Sequence, residues 1–334
     1  MDVRNDMDLK QRLAEETLKI DRIMRDDLAA ITDTLDPQLA EILEYGLFAG
    51  GKRVRPLLTI LAARMCGNED NGVYNLAIAF EYLHGATLFH DDVIDRADTR
   101  RGRPSVQKQF GAVAAILAGD FLHAHSMALV GEFAGVDGLS LFSQVTRSMV
   151  DGEFLQLRNA SNFNQSEEDY FLAISGKTAL LIGAACELGA LFARAQPGQQ
   201  SALKTYGISL GYAFQIIDDL LDYQGDAQLT GKGLGNDLCE GKMTLPLITT
   251  MQRADAADKQ WLVKTLENQL QRQQKLSQVT SMIEKYDGFG AARNKASDII
   301  NKALDALSRL KQQSNQQSFE ILHGLAHYVL NRSN

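Results

Sequence analysis

The sequence predicts an all-α protein, and three observations support this class. Apolar residues recur at i, i+3, i+4 and i+7 along much of the chain, which is the spacing of one helix face. Alternating Val, Ile and Thr residues of strand type do not occur over any useful length. Only five prolines interrupt 334 residues, so long helices can form between them. We expect one domain over residues 1–334, a bundle of roughly ten or more helices.

Local signals predict several helix ends. Asp36 before Pro37 is typical of an N-cap followed by proline in the first turn. Ser166, with an acidic residue three positions later, has the form of a capping box. The segment Gln252–Asn334 is more polar and predicts outer helices. The last of these, from Phe319 to Val329, has an apolar stripe that can dock on the bundle.

Composition excludes some classes of function. The net charge of −8 and the absence of a basic stripe with interleaved aromatic residues argue against a nucleic-acid surface. The three cysteines are widely spaced and lack a CxxC pair, so we interpret them as core residues of a cytoplasmic protein. The N-terminal residues lack an apolar signal core. The most apolar stretches, Ala112–Val130 and Ala179–Ala195, each contain an acidic residue and predict buried helices, with no transmembrane segment.

The segment Tyr82–Pro104, YLHGATLFHDDVIDRADTRRGRP, carries the first chemical signal. On a helix, Asp91 and Asp95 project from one face, where two like charges repel. A divalent cation would neutralise them, and Mg²⁺ is usually held by carboxylates, waters and substrate phosphates. The arginines that follow suit the same anionic ligand, since guanidinium groups match phosphate geometry. They are Arg100, Arg101 and Arg103.

A second acidic motif, FQIIDDLLDY at 214–223, repeats the pattern. One acidic cluster on a helix is usually a solvated face. Two clusters embedded in apolar sequence are harder to explain that way, because buried carboxylates without a partner are costly. The pair therefore indicates a diphosphate held through metal.

The segment Gly46–Pro56, GLFAGGKRVRP, predicts a second anion site. It matches the front of a nucleotide-binding loop, GxxxxGK. However, Arg53 stands where a Ser or Thr should bind Mg²⁺, and the preceding residues predict a helix in place of the required strand. What remains is a glycine pair followed by Lys52, Arg53 and Arg55, which suits an anionic group. The alternative is a solvated basic turn.

Three further features are compatible with phosphate binding. His84 shares a helix face with the first motif and is either a phosphate contact or a core residue. Lys177 and Thr178, between two apolar runs, are either a cap or a phosphate contact. The glycine-rich loop 225–241, with Lys232, is typical of a flap that closes over phosphates, although a plain flexible connection is also compatible.

Together these motifs resemble one family. GGKRVRP, DDVID followed by RRG, the isolated KT, FQIIDDLLD and GKGLGND occur in the order found in trans-type prenyl diphosphate synthases, from about residue 50 to 245. The resemblance implies the all-α isoprenoid synthase fold with a central active-site cavity. It also implies Mg²⁺-dependent condensation of isopentenyl diphosphate with an allylic diphosphate such as farnesyl diphosphate.

The resemblance further implies roles for individual residues. About three Mg²⁺ ions would be bound by Asp91, Asp95 and Asp218, supported by Asp92 and Asp222, from two helices that face each other across one cavity. Isopentenyl diphosphate would be held by Lys52, Arg55, His84 and Arg101. The allylic diphosphate would lie against Arg100, Lys177, Thr178, Gln215 and Lys232, of which Lys177, Thr178 and Lys232 take part in catalysis. A homodimer is expected.

Product length follows from the residues before Asp91. In the family, bulky aromatic residues four and five positions before this aspartate block the product tunnel. Thr87 and Ala86 are small here, and Leu83 is a deeper lining residue, with Phe80 deeper still. We expect an all-trans product longer than farnesyl, with about eight isoprene units (about C40), as in octaprenyl synthases that supply quinone side chains.

Three alternatives remain open at this stage. They are a shorter-chain geranylgeranyl diphosphate synthase, a class I terpene cyclase, and a non-catalytic partner subunit of a heteromeric synthase. A cyclase would not need cations for a second diphosphate, and a non-catalytic subunit can be expected to lose its acidic motifs.

Overall fold

The chain is helical over most of the residues described in a computed structural model, which are 3–225, 234–311 and 315–332. Side chains of residues 3–10 and 160–162 are outside this description. The predicted all-α class is confirmed. In chain order the helices of the first half are α1 (Val3–Thr32), α2 (Pro37–Leu47), α3 (Val54–Met65), α4 (Val73–Ile94), α5 (Val106–Phe110) and α6 (Ala112–Asn162). A short hairpin, β1 (Thr99–Arg100) and β2 (Arg103–Pro104), lies between α4 and α5.

The second half of the chain continues with shorter helices. They are α7 (Glu167–Ile174), a π-helical turn (Ser175–Ala179), α8 (Leu180–Phe192), α9 (Pro197–Gln224), α10 (Asn236–Glu240), α11 (Leu245–Arg253), α12 (Ala256–Leu266), α13 (Gln269–Gln274), α14 (Leu276–Lys285), α15 (Gly288–Ser308) and α16 (Gln316–Leu330).

The predicted helix starts are confirmed by their caps. The Asp36 carboxylate accepts the backbone N–H of Gln38 at 2.8 Å, and proline opens α2. The Ser166 hydroxyl accepts the N–H of Asp169 at 3.1 Å at the start of α7. Each cap satisfies one of the N–H groups that a helix leaves unpaired at its first turn.

The chain forms two compact units. The first comprises Met1–Ser143, Ala185–Ser201 and Gln312–Ile321. Its centre is α4, which is apolar on nearly every face and is contacted by α1, α2, α3 and α5. A helix buried on all sides is a core helix. In this unit α4 therefore sets the position of the acidic residues at its C-terminal end, Asp91, Asp92 and Asp95.

The second unit comprises Gln144–Ala184, Ala202–Lys311 and Leu322–Asn334. Here α11 packs on α14 and α15, and α7 contacts both α11 and the π-helical turn. The expectation of one domain over the whole chain stays a prediction.

One predicted buried stretch is partly exposed. The side chains of Val113 and Leu117, near the start of α6, are 72% and 61% exposed, because they point away from the core of the first unit. By length and composition alone, two described helices could cross a membrane, Ala112–Asn159 and Glu167–Phe192. Their most apolar windows are 39% and 67% buried.

Candidate active site

The first acidic motif lies at the C-terminal end of α4, and its three carboxylates differ in environment. Asp92 is 1% exposed, and its Oδ1 accepts hydrogen bonds from Arg100 Nε at 2.8 Å and Nη2 at 2.7 Å. Asp91 is half-buried, and Asp95, the C-cap residue, is exposed. A buried carboxylate needs such a charged partner. Asp92 therefore anchors the hairpin, whereas Asp91 and Asp95 are accessible to a ligand.

The hairpin turn presents Arg101. Arg101 and Gly102 have φ angles of 52° and 76°, the left-handed values of a type I′ turn. For arginine this conformation costs about 1 kcal/mol. A β-carbon added to Gly51 would come within 3.0 Å of Arg101 Nη1, so the turn lies directly against the glycine pair before α3. Such strain is often retained at functional positions.

Arg53 has a structural role in the basic segment. Its side chain is 3% exposed, and its Nε and Nη1 contact Asp21 at 2.6 Å and Glu81 at 2.7 Å. Nη2 donates to the carbonyl oxygen of Leu47 at 2.8 Å. These bonds fix the turn between α2 and α3 to the core of the first unit.

Positive charge is in excess around Arg55. Among the described residues, its Nε is buried without a hydrogen-bond partner, and its pKa is lowered because burial, with repulsion from Arg101, outweighs the attraction of Glu81. Burial and neighbouring arginines also lower the pKa of Arg101. The pKa of His84 lies well below its usual value because of burial and of Arg55 and Arg101. The structure thus brings three predicted isopentenyl diphosphate residues together, and Lys52 lies exposed in the adjoining turn. Mutually repelling cations of this kind suit an anion.

In the second unit, Lys177 and Thr178 occupy the π-helical turn. Turns of this kind are frequent at functional sites. A β-carbon on Gly176 would collide with the backbone of Gly152 in α6, so only glycine permits this close approach. Lys177 Nζ contacts Glu153 Oε2 at 2.9 Å, which holds the ammonium group beside α6.

A cavity of about 100 Å³ adjoins this turn. Its polar lining comes from α6, α7, the π-helical turn, α9, α10 and the segment after α10. The polar residues are Gln156, Asn159, Tyr170, Lys177, Gln215, Asp219, Asp237, Lys242 and Thr244. Asp219 is 5% exposed, and burial together with the charge of Asp237 raises its pKa well above the usual range. Of these residues, the sequence analysis assigned ligand roles to Lys177 and Gln215 and assigned none to Asp219 or Tyr170.

Asp222, expected to support the metal site, contacts the described C-terminal part of the glycine-rich loop, where α10 begins. Its carboxylate accepts the backbone N–H groups of Asn236 at 3.2 Å and Asp237 at 3.0 Å. Burial and the nearby Asp237 raise its pKa to about 6. Lys242 Nζ lies 3.3 Å from Asp237 Oδ1. Asp222 therefore fastens this segment beside the cavity. The predicted Lys232 lies outside the described residues.

Asp218, the exposed member of the second motif, has an unexpected neighbour. Arg332 Nη2 lies 3.6 Å from Asp218 Oδ1, and its guanidinium carbon lies 4.7 Å from the ring centre of Phe214. The side chain of Asp218 is 52% exposed, and that of Arg332 is 11% exposed. The only sequence signal was a cation just after the last apolar helix, which does not predict a contact with α9.

The predicted metal ligands fit Mg²⁺ by their chemistry. Asp91 is half-buried and Asp95 and Asp218 are exposed, so all three supply carboxylate oxygens from accessible positions. Hard cations such as Mg²⁺ prefer such oxygens and usually keep waters and substrate phosphates. Within 3–225, 234–311 and 315–332, no group of three or more His, Cys, Asp or Glu side chains is placed to hold one ion.

The residues expected to control product length lie on α4. Ala86 and Leu83 are 2% exposed, and Phe80 is buried with its ring edge-on to Phe142 at 5.5 Å between centres. Thr87 is half-buried, and its hydroxyl donates to the His84 carbonyl at 2.9 Å. The positions four and five residues before Asp91 are thus small, and the aromatic Phe80 lies further toward the N-terminal end of α4.

Comparison with known proteins identifies the family. The family model for polyprenyl synthetase matches residues 36–283, which include both acidic motifs and the basic segment. The chain belongs to the polyprenyl synthetase family. It is an enzyme, a prenyltransferase of the polyprenyl diphosphate synthase kind.

Individual relatives cover nearly the whole chain. The octaprenyl diphosphate synthase of Haemophilus influenzae is 34% identical over 323 residues, 97% of this chain and 96% of that protein. The geranylgeranyl diphosphate synthase of Saccharolobus solfataricus is 34% identical over 303 residues, 87% of this chain and 90% of that protein. A crystal structure of polyprenyl synthase from Caulobacter crescentus, complexed with calcium and isoprenyl diphosphate, has a TM-score of 0.82. It is 32% identical, with 94% of this chain and 97% of that chain covered.

Proposed function

We propose that the chain condenses isopentenyl diphosphate with an allylic diphosphate, such as farnesyl diphosphate, in a Mg²⁺-dependent reaction that gives an all-trans polyprenyl diphosphate. The observation that carries this proposal is the cluster of two cations, Arg55 and Arg101, with the neutral His84 in the first unit. A cyclase acts on one diphosphate and has no need of this cluster in addition to the lysine and amide groups around Lys177. Two anion-binding clusters favour condensation of two diphosphates.

In this proposal the first cluster holds isopentenyl diphosphate. The buried Nε of Arg55 and the turn residue Arg101 would donate to diphosphate oxygens, with Lys52 at the exposed side. His84 is neutral at physiological pH because its pKa is lowered by burial and by the arginines. It would therefore donate one N–H to the substrate without adding charge.

The allylic diphosphate would lie against Lys177, Thr178 and Gln215, with Arg100 and Lys232 as further cations. Asp91, Asp95 and Asp218 would hold Mg²⁺, with Asp92 and Asp222 orienting their surroundings. When bound, Mg²⁺ supplies charge that stabilises the leaving diphosphate. Asp237, whose backbone N–H is bonded to Asp222, and its partner Lys242 line the cavity beside these ligands.

The reaction then needs no protein nucleophile. Cations around the diphosphate oxygens favour ionisation of the allylic C–O bond, and the double bond of isopentenyl diphosphate attacks the carbocation. Loss of a proton to the expelled diphosphate gives the trans double bond. The residues of the chain bind and orient both substrates so that the reacting carbons meet.

We further propose a product of about eight isoprene units, because Thr87 and Ala86 are small. The relatives that cover nearly the whole chain also include an octaprenyl diphosphate synthase. A shorter product remains the alternative, because the relatives also include a geranylgeranyl diphosphate synthase. Use of the product as a quinone side chain and a cytoplasmic location stay predictions.

A homodimer is supported by the exposed apolar face of α6. Val113, Ile116 and Leu117 are 72%, 41% and 61% exposed on adjacent turns. Exposed apolar patches of this kind often mark protein interfaces. We propose that a second copy covers this face.

One assay separates the candidate functions. The purified chain is incubated with Mg²⁺, radiolabelled isopentenyl diphosphate and farnesyl diphosphate, and the products are separated by chromatography. Labelled chain elongation is expected. A cyclic hydrocarbon formed without isopentenyl diphosphate would support a cyclase, and no product would support the non-catalytic subunit.

A further inference from the structure

A chain of hydrogen bonds runs from α7 to the π-helical turn through α9. The Tyr170 hydroxyl donates to Asp219 Oδ2 at 2.7 Å. Gln215 Nε2 donates to Asp219 Oδ1 at 2.9 Å, and the Thr178 hydroxyl donates to Gln215 Oε1 at 3.2 Å. Tyr170, Gln215 and Asp219 line the cavity beside Lys177.

Each bond in this chain determines the next. The two oxygens of Asp219 receive one donor each, from Tyr170 and from Gln215. Because the Gln215 NH₂ group is directed to the carboxylate, its carbonyl oxygen is directed to Thr178. The hydroxyl of Thr178 is thereby held in one rotamer. Fully connected polar networks of this kind fix side-chain geometry.

In this series of hydrogen bonds, Tyr170 is the residue farthest from the proposed diphosphate ligands Gln215 and Thr178. Its side chain is 6% exposed, and the Asp219 side chain is 5% exposed, so bulk solvent has little access to this bond. Without the hydroxyl, Asp219 Oδ2 would lose its protein donor, and the carboxyl group would rotate toward another donor. Gln215 would then lose the acceptor that sets its orientation.

We propose that Tyr170 is a positioning residue for the allylic diphosphate, which acts through Asp219 on the Gln215 amide and the Thr178 hydroxyl. This inference rests on the proposed function, since it assigns those two groups to the allylic substrate. It predicts that Tyr170 affects the allylic substrate and leaves isopentenyl diphosphate binding unchanged.

The test measures the Kd of farnesyl diphosphate by calorimetry with Mg²⁺ and without isopentenyl diphosphate. Tyr170→Phe is compared with Tyr206→Phe, which removes another buried hydroxyl, one that donates to the Leu322 carbonyl oxygen at 2.7 Å. We expect Tyr170→Phe to raise this Kd about 10-fold, and Tyr206→Phe to leave it within about 2-fold. In turnover assays, the KM of isopentenyl diphosphate should stay within about 2-fold for both variants.

A double variant tests whether Tyr170 acts through Asp219. Asp219→Asn should raise the Kd of farnesyl diphosphate, and adding Tyr170→Phe to it should cause no further rise. An unchanged Kd for Tyr170→Phe, or equal effects of Tyr170→Phe and Tyr206→Phe, would overturn the inference, as would additive effects in the double variant. If the wild-type chain binds farnesyl diphosphate but elongates nothing, the proposed condensation fails while the Kd comparison still decides the role of Tyr170.

Discussion

Arg53 and Arg55 lie two residues apart, and replacing each by methionine should have opposite effects. Arg53 makes two ion pairs, and its partner Glu81 is 4% exposed. Breaking a buried pair leaves an uncompensated charge, which costs about 3–5 kcal/mol. Arg53→Met should therefore lower Tm by several degrees.

For Arg55 the charge contributes less to stability, because its Nε is buried without a hydrogen-bond partner among the described residues. Burial, with repulsion from Arg101, outweighs the attraction of Glu81. Arg55→Met keeps most of the side-chain volume and removes that charge, so Tm should stay the same or rise. The lost contact with isopentenyl diphosphate should cost about 1.5–3 kcal/mol, which is about 10–100-fold in KM.

Differential scanning calorimetry and steady-state kinetics measure both effects. The KM of farnesyl diphosphate serves as the internal control for Arg55→Met and should change little. If Arg55→Met lowers Tm as much as Arg53→Met does, or if it leaves the KM of isopentenyl diphosphate unchanged, the assignment of an anion site to Arg55 is wrong.

Three further predictions follow from individual residues. Thr87→Phe should shorten the products seen by chromatography, because an aromatic ring would narrow the path beside α4; unchanged products would refute the tunnel assignment. His84 has a pKa lowered well below 6.5 in the fold, so as pH falls below about 6.5 the unfolded chain binds a proton that the folded chain does not. Stability present above this pH should decline by up to about 1.4 kcal/mol per pH unit below it, and a His84→Gln variant measured by denaturant unfolding should lack that slope. Arg332→Gln should change the Mg²⁺ concentration that gives half-maximal turnover, because Arg332 lies beside Asp218; an identical Mg²⁺ titration would show that this contact has no role in metal binding.

The sequence predicted the helical class and the family because both follow from local patterns. Apolar spacing and capping residues act within one or two turns, and Asp36 and Ser166 cap their helices as expected. The pairs Asp91 with Asp95 and Lys177 with Thr178 are likewise recognisable from a few residues.

What the sequence did not predict depends on contacts between distant segments. It grouped Arg53 with Arg55, whereas Arg53 is bound by Glu81 from α4 and by Asp21 from α1. It did not predict the hairpin of β1 and β2. Its turn sequence, Arg-Gly, is uncommon for a type I′ turn, and strands of two residues are too short to show an alternating pattern. The link from Tyr170 to Asp219 spans 49 positions, and no local pattern indicates it.

The central claim is that accessible aspartates of both motifs bind the metal through which the allylic diphosphate is ionised. The most direct test is turnover with radiolabelled isopentenyl diphosphate for Asp91→Ala, Asp218→Ala and the double variant, with the exposed Asp298→Ala as the matched control. We predict losses of at least about 100-fold for each single variant and none for the control. The loss in the double variant should be well below the product of the single losses, because both carboxylates serve one step. Turnover at the wild-type rate in the double variant would contradict the claim.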